Sequence, residues 1–315
     1  MAFIDVMRAE GHAVKSVCRV LSSQGCQIAA RTYRSWKTAT VSARTQTDAI
    51  VVDALLATAG TPESLYGRRK MTALLRRSGH VVAYCTVDRL MRQMGMRGVR
   101  RGRGTRTTIP SKDGHRAGDL VNRDFTAAAP NCLWVADFTY VRTWAGFVYV
   151  AFIVDVFAQR ICAWHAATVK TTPLVLTPLR MAIWQRDHDG HPITPGELIQ
   201  HSDAGSQYVA VRFTEHLAQE GIAQSIGSVG DAYDNCLMES IIGLYKTECV
   251  RTGLFADGPL RTIADVEYAT AGWVDWWNNR RLHGSLGMLT PVEVEHAHYA
   301  ATTINAAQLA AAGNP

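Results

Sequence analysis

An α/β domain preceded by an all-α, basic region is the architecture that this sequence predicts, and three observations carry it. Charge is divided unevenly: residues 1–110 hold 19 Lys and Arg against 6 Asp and Glu, whereas the remainder holds 14 against 21. Up to about Met94 the apolar residues recur at helical spacing. After Pro130, β-branched and aromatic runs alternate with helical patterns. A basic half joined to an acidic half points to a polyanion-binding module attached to one that concentrates carboxylates.

With 315 residues, 47% of them hydrophobic, the chain is long enough for a sizeable core. The apolar run Phe147 to Val154 stops at Asp155, well short of the roughly 20 residues of a membrane span. The start MAFIDVMRAEGH lacks the apolar stretch of a secretory signal, and a cytoplasmic location with no membrane partner is expected. Seven cysteines without a CxxC pair fit reduced thiols that fill small core positions. His188 and His191 form an HxxH with no CxxC after it, which favours solvated loop histidines over a zinc site.

The first segment, residues 1–45, contains two short helices between Val14 and Lys37 about a break at Gly25, with Val17, Val20 and Leu21 as the apolar stripe. A helix-turn-helix and a plain helical hairpin both fit. Residues 46–96 form a second helical, helix-turn-helix-like segment. In LYGRRKMTALLRRSGH the residues Met71, Leu74 and Leu75 make the apolar stripe, and Arg68, Arg69, Lys70, Arg76 and Arg77 crowd the other surface. That many like charges exceed what solubility needs and point to DNA. Residues 97–124 read as a basic linker whose Arg100, Arg101 and Arg103, set among glycines, suit phosphates.

In residues 125–255 three β-rich runs, LWVADFTYV, FVYVAFIVDVF and RICAWHAA, make an antiparallel meander. A helix follows over about 172–186, then the strand ELIQHSD, a helix near 211–220, the strand AQSIG and a helix over about 234–247. Three hairpin strands, then helix, strand, helix, strand and helix, is the order of an RNase H-like domain. Residues 256–315 form a C-terminal helical extension and tail. Its Trp273, Trp276 and Trp277, three and four residues apart, are either a contact surface or buried against the core.

Three carboxylates stand out. Asp137 sits mid-strand among Trp134, Val135, Phe138 and Tyr140, where an ionised group needs a partner or a metal. Asp203 ends a strand at a glycine-containing turn, where α/β active sites collect. Glu239 lies on a helix in line with Asn235 and Lys246, with Leu237, Ile241 and Leu244 on another face. Two-metal phosphoryl transfer needs hard oxygen ligands on adjacent elements. Asp203 and Glu239 have 35 residues between them. From spacing alone Asp155, a fourth carboxylate, competes with Asp137.

With those motifs on the page, the chain resembles the second-frame transposases of the large bacterial insertion-sequence family whose two frames are joined by ribosomal frameshifting, relatives of retroviral integrases. The resemblance runs from about Val14 to Glu295 and rests on LYGRRKMTALLRRSGH with TVDRLMRQMGM, WVADFTYV, FIVDVFAQRICAW, HSDAGSQY, GDAYDNCLMESIIGLYKTE and WWNNRRLHGSLGMLTPVE. It implies a retroviral integrase-type core in which Asp137, Asp203 and Glu239 are the catalytic, metal-binding triad, with two Mg²⁺ or Mn²⁺ ions. It implies that Lys246 contacts the DNA end, that Asn235 lies on the same DNA-facing helix, and that residues 278–283 belong to a C-terminal tail of the core. The implied partners are double-stranded DNA, further protomers on DNA and the upstream-frame product. The chain lacks the N-terminal His and Cys zinc set of the viral enzymes, and Tyr66, Gly67, Arg68, Arg69 replaces the family's tyrosine-glycine-aromatic-arginine start. A hydrolytic nuclease or resolvase and an inactive DNA-binding regulator are the alternative readings.

Overall fold

Positioning of the candidate site falls to a five-stranded sheet covered by helices. The computed structural model of the protein describes residues 1–39, 41–100, 118–121, 124–227 and 235–312. Arg101 and Arg103 lie outside the described residues, as do the Gly-Asp-Ala-Tyr-Asp residues 230–234. The chain divides into two units, Met1–Leu56 and Ala57–Pro315.

The first unit is helical: α1 Ala2–Ala9, α2 Val14–Ser23, α3 Ala30–Thr38 and α4 Ala43–Leu56. Its small core joins Ile4, Val17, Cys18 and Tyr33. The Tyr33 hydroxyl donates to Asp5 at 2.6 Å, and Lys37 pairs with Asp5 at 2.7 Å. Three details correct the expectation. α1 adds a third helix to the expected pair, Val20 is 61% exposed with Cys18 buried in its place, and the boundary expected at 45/46 falls inside the continuous α4.

The second unit begins with a short 3₁₀ turn, Pro62–Leu65, then α5 Arg68–Arg77 and α6 Tyr84–Gln93. These two helices bury Met71, Thr72 and Leu75 on one side and Val87, Leu90 and Met91 on the other. Leu74, expected in the stripe, is only half-buried, and Thr72 takes its place by donating its hydroxyl to Arg68 O at 2.7 Å.

The sheet contains β1 Leu133–Thr143, β2 Gly146–Asp155, β3 Arg160–Ala167, β4 Ile199–Ser202 and β5 Ala223–Ile226, in the order β3-β2-β1-β4-β5. The first three are antiparallel hairpin neighbours, and β4 and β5 run parallel to β1. Side chains alternate between faces. One face, with Trp134, Ala136 and Ile153, packs on α7 Thr172–His188 and α8 Val211–Gln219 through Leu179, Ile183, Phe213 and Leu217.

The other face is covered by α9 Cys236–Leu244, the π-helical turn Tyr245–Val250 and α10 Ile263–Asn279, with α11 Pro291–Ala312 beyond. There the ring of Phe152 lies 5.1 Å from Tyr245 and 6.1 Å from Trp273. Trp273, Trp276 and Trp277 are at most 1% exposed, so burial rather than a contact surface is the role of that cluster. α9 buries Met238, Ile241 and Ile242; the expected Leu237 and Leu244 sit at the margin of that face, rotated by about one residue.

Candidate active site

The register of two parallel strands brings the first two carboxylates together. Ala136 pairs with Ser202 at the end of the β1–β4 ladder, so Asp137 and Asp203 occupy the next step on adjoining chains, with side chains toward the same face. Asp137 is half-buried and its Oδ1 accepts the backbone N–H of Phe138 at 2.7 Å. Asp203 opens the turn after β4, where its Oδ1 accepts the N–H of Gly205 at 3.1 Å. A Cβ at Gly205 would stand 3.0 Å from that Oδ1, so a side chain at position 205 would press on the carboxylate.

Both acids are held above the usual carboxylate range. For Asp137 the shift is large; burial is the main cause, then the charge of Asp203 and, more weakly, that of Glu239, against the Phe138 N–H and the Lys246 ammonium. Asp203 is an exposed residue, yet neighbouring protein partly desolvates its carboxylate, which raises the pKa against the Gly205 N–H and His201.

Glu239 stands in the first turn of α9, exposed at the surface, and its charge is felt at Asp137. Asn235 caps that helix. Its amide donates to Ala136 O at 3.2 Å, while its buried Oδ1 has no hydrogen-bond partner. Asn235 is thus outside the helical stripe expected of it, and Lys246 lies within the π-helical turn, a feature found often at functional sites. Its Nζ sits 4.9 Å from the Tyr140 ring centre.

A divalent ion suits this donor set: two adjacent carboxylates with unneutralised charge and an orphaned amide oxygen nearby are hard oxygen ligands. Among the described residues no group of three His, Cys, Asp or Glu side chains is close enough to hold a metal. Asp137 and Asp203 are therefore brought together as a pair, with Glu239 in electrostatic reach rather than in a closed cage.

Asp155, the rival of Asp137, is fully committed elsewhere. It is 0% exposed, pairs with Arg186 at 2.9 Å, and accepts from Asn131 N, Trp134 Nε1 and Phe157 N at 2.7, 3.2 and 3.0 Å. Arg186 also reaches Glu295 at 2.7 Å, and Arg160 joins Glu295 to Asp189. His188, exposed at the end of α7, stacks on Trp184, and His191, half-buried in the loop that follows, stacks on Tyr299.

The expected DNA-facing cations are not equivalent. Arg69 is exposed, and Arg68 lies 3.6 Å from Asp88. Arg68, Arg92, Arg97 and Arg100 line one cleft of about 750 Å³ beside Gly67 and Gly98. Lys70 instead turns inward over the Tyr66 ring, and burial with the nearby Arg281 lowers its pKa to about 8. Arg76 donates to Val82 O at 3.0 Å, and Arg77 is tied to Glu293 and Met288 O. Sequence reasoning also missed Tyr208, the last residue of HSDAGSQY. It is 1% exposed, its hydroxyl has no partner, and burial with the charges of Asp137 and Asp203 raises its pKa far above the usual value.

Comparison with known proteins bears on the second unit, Ala57–Pro315. Family models described as integrase core domains match residues 127–232 and 220–291, and one described as an HTH-like domain matches residues 58–104. The chain is 50% identical over 236 residues to the transposase assigned to insertion sequence element IS986/IS6110 of Mycobacterium tuberculosis, covering 75% of this chain and 83% of that one. It is 49% identical over 236 residues to the transposase for insertion sequence element IS629 of Shigella sonnei, covering 75% of each. A simian T-cell lymphotropic virus intasome chain, solved in complex with PP2A regulatory subunit B56 gamma, is 16% identical with a TM-score of 0.46, covering 73% of this chain and 71% of that one.

Proposed function

This chain belongs to the insertion-sequence transposases built on an integrase core domain, and on that premise we propose that Asp137, Asp203 and Glu239 are its catalytic carboxylates in DNA cleavage and strand transfer. The observation that carries the reading is the Asp137–Asp203 pair, two adjoining acids raised by desolvation and, at Asp137, by the charges of Asp203 and Glu239, with no ion pair to either acid among the described residues. Repulsion that the fold does not neutralise is what a cation-binding site requires of its ligands.

Asp137, Asp203 and Glu239, the last from the first turn of α9, would hold Mg²⁺ or Mn²⁺, two ions per site. Bound there, the ions would supply activation of the attacking hydroxyl and charge neutralisation at the leaving oxygen. Lys246, beside Asp137, faces the incoming phosphate backbone. Asn235 fixes the start of α9 against β1 and so sets the distance from Glu239 to the other two acids. Arg68, Arg69, Arg76, Arg100, Arg101 and Arg103 serve the DNA duplex flanking the site, while Lys70 supports α5 from inside and Arg77 ties that helix to Glu293. Double-stranded DNA is the substrate, with a second protomer engaged on it and the upstream-frame product as a further partner. The protein works in the cytoplasm.

The test is a cleavage and strand-transfer assay on DNA bearing the element's own ends. Asp137→Asn, Asp203→Asn and Glu239→Gln each abolish both steps while DNA binding persists. Normal cleavage by any of these variants removes that residue from the set, and cleavage without joining by the unaltered chain reduces the activity to hydrolysis.

A further inference from the structure

Past Asp137 the β1–β2 hairpin runs beyond its pairing with β4, which ends at Ala136 and Ser202. Its register places Tyr140 opposite Tyr149 and Arg142 opposite Phe147, so these four side chains share one face. Tyr140 is 46% and Phe147 52% exposed, and Trp144 at the turn is 73% exposed.

These aromatics are held in place. Tyr140 and Phe147 pack edge to face at 5.3 Å, and the Arg261 guanidinium lies 5.2 Å from the Trp144 ring centre. The hairpin tip is pinned by N–H groups of Trp144 and Ala145, which donate to Leu260 O at 3.3 Å and Arg261 O at 2.9 Å. From Phe138 to Val154 there is no acidic residue. By strand alternation this surface lies on the opposite face of the sheet from Asp137, and Lys246 joins the two around the β1 edge that β4 leaves open, because its ammonium lies over Tyr140 and also lowers the pKa of Asp137.

Exposed aromatics interleaved with cations are the combination that holds single-stranded nucleic acid, the rings stacking on bases and the cations following the phosphates. A second copy of the chain fits less well, since a two-fold contact would set Arg142 and its neighbouring cations against themselves. A base-paired duplex offers no free base faces to stack. We propose that the outer half of the β1–β2 hairpin binds unpaired nucleobases of a DNA strand leading away from Asp137, with Tyr140, Phe147 and Trp144 as the stacking surfaces and Arg142, Lys246 and Arg261 on the phosphates. At roughly 3.4 Å per strand residue, Trp144 stands about 24 Å from Asp137, a reach of several nucleotides. The inference rests on the proposed function for the origin of the DNA end, and it makes local opening of that end part of how the strand is presented.

Binding of the full chain in EDTA to a blunt duplex, and to the same duplex with an unpaired oligothymidine tail, tests it. Trp144→Ala, at a surface position that leaves the core intact, weakens binding of the tailed DNA roughly tenfold and leaves the blunt duplex within a factor of about two, while Trp144→Phe restores most of the loss. Phe147→Ala acts in the same direction. Equal weakening on both DNAs, or none on either, overturns the proposal. So does a change in the oligomeric state of the DNA-free chain, which would make the hairpin a contact between copies. Chemistry does not enter this readout: failure of the unaltered chain to cleave or join would sink the catalytic reading and leave the tail preference standing, and loss of the tail preference with cleavage intact would do the reverse.

Discussion

Asp137→Asn has opposite consequences for activity and stability, and the structure gives the size of the second. The substitution keeps the Oδ1 that accepts the Phe138 N–H and removes the charge that meets Asp203 across adjoining strands. Two unit charges about 5 Å apart at an effective dielectric of about 20 repel by about 3 kcal/mol. Asp203 is exposed, so screening leaves about 1–2 kcal/mol. At about 2–4 °C per kcal/mol, the metal-free variant melts about 2–8 °C above the unaltered chain at pH 7. The sign depends on pH. A carboxyl whose pKa is raised in the folded state costs stability only once pH exceeds its unfolded value, so the gain disappears as pH falls toward 4, near the unfolded carboxylate value. Melting curves in EDTA at pH 4 to 8 provide the comparison, and titration of Mg²⁺ provides the second arm: the unaltered chain gains stability with the ion and the variant does not. A variant that melts lower than the unaltered chain in EDTA at pH 7, or gains as much from Mg²⁺, refutes the claim that Asp137 and Asp203 form an unneutralised cation seat.

Two further predictions concern the frame around the site. Arg186→Met strands Asp155 without its cation and leaves Glu295 with Arg160 alone, and costs about 3–5 kcal/mol in a denaturant titration; a loss below about 1 kcal/mol would mean that the network is replaceable. His283 donates Nε2–H to Trp277 O at 3.1 Å, and burial, with Arg281 nearby, lowers its pKa to about 3. Its unfolded form takes up a proton below about pH 6.5, so moving from pH 7 to 5 costs about 2 kcal/mol. His283→Gln, which keeps an N–H donor, flattens that part of the pH profile, and an unchanged profile would assign the acid sensitivity elsewhere.

Much of the core was legible because its elements are long and strongly patterned. β3 was predicted residue for residue, and β1, β2 and α7 to within two residues at either end. The α7–α8 layer and the hairpin meander follow from periodicity alone. Misplacements arose where tertiary contacts overrode local pattern. Lys70 reads as a surface cation among arginines, yet Arg281 and Glu248 come to it from distant parts of the chain, and the Tyr66 ring from just before α5. Arg77 reads as a free phosphate ligand until Glu293, 216 residues away, pairs with it. The helix before Lys246 looks uniform in sequence, whereas the chain widens into a π-helical turn from Tyr245. Within the candidate site, Asp137 and Asp203 were readable from a strand middle and a strand end. The unpartnered Tyr208 hydroxyl was not, since nothing in the sequence shows that a core tyrosine lacks an acceptor.

The contrast between Asp137 and Asp155 locates the site without reference to any motif. Both are acids on neighbouring strands of one sheet, and burial raises both. Around Asp155 the fold supplies an arginine, two backbone N–H groups and an indole N–H, the full set that a buried carboxylate needs. Around Asp137 it supplies one backbone N–H and a lysine that also serves Tyr140, then sets two further acids within reach. A fold able to satisfy one carboxylate so completely, a single strand away, leaves the other unsatisfied at a cost to its own stability. Such local cost persists where function requires it. A ligand of opposite charge removes it, which is why the same substitution that silences the site should steady the protein.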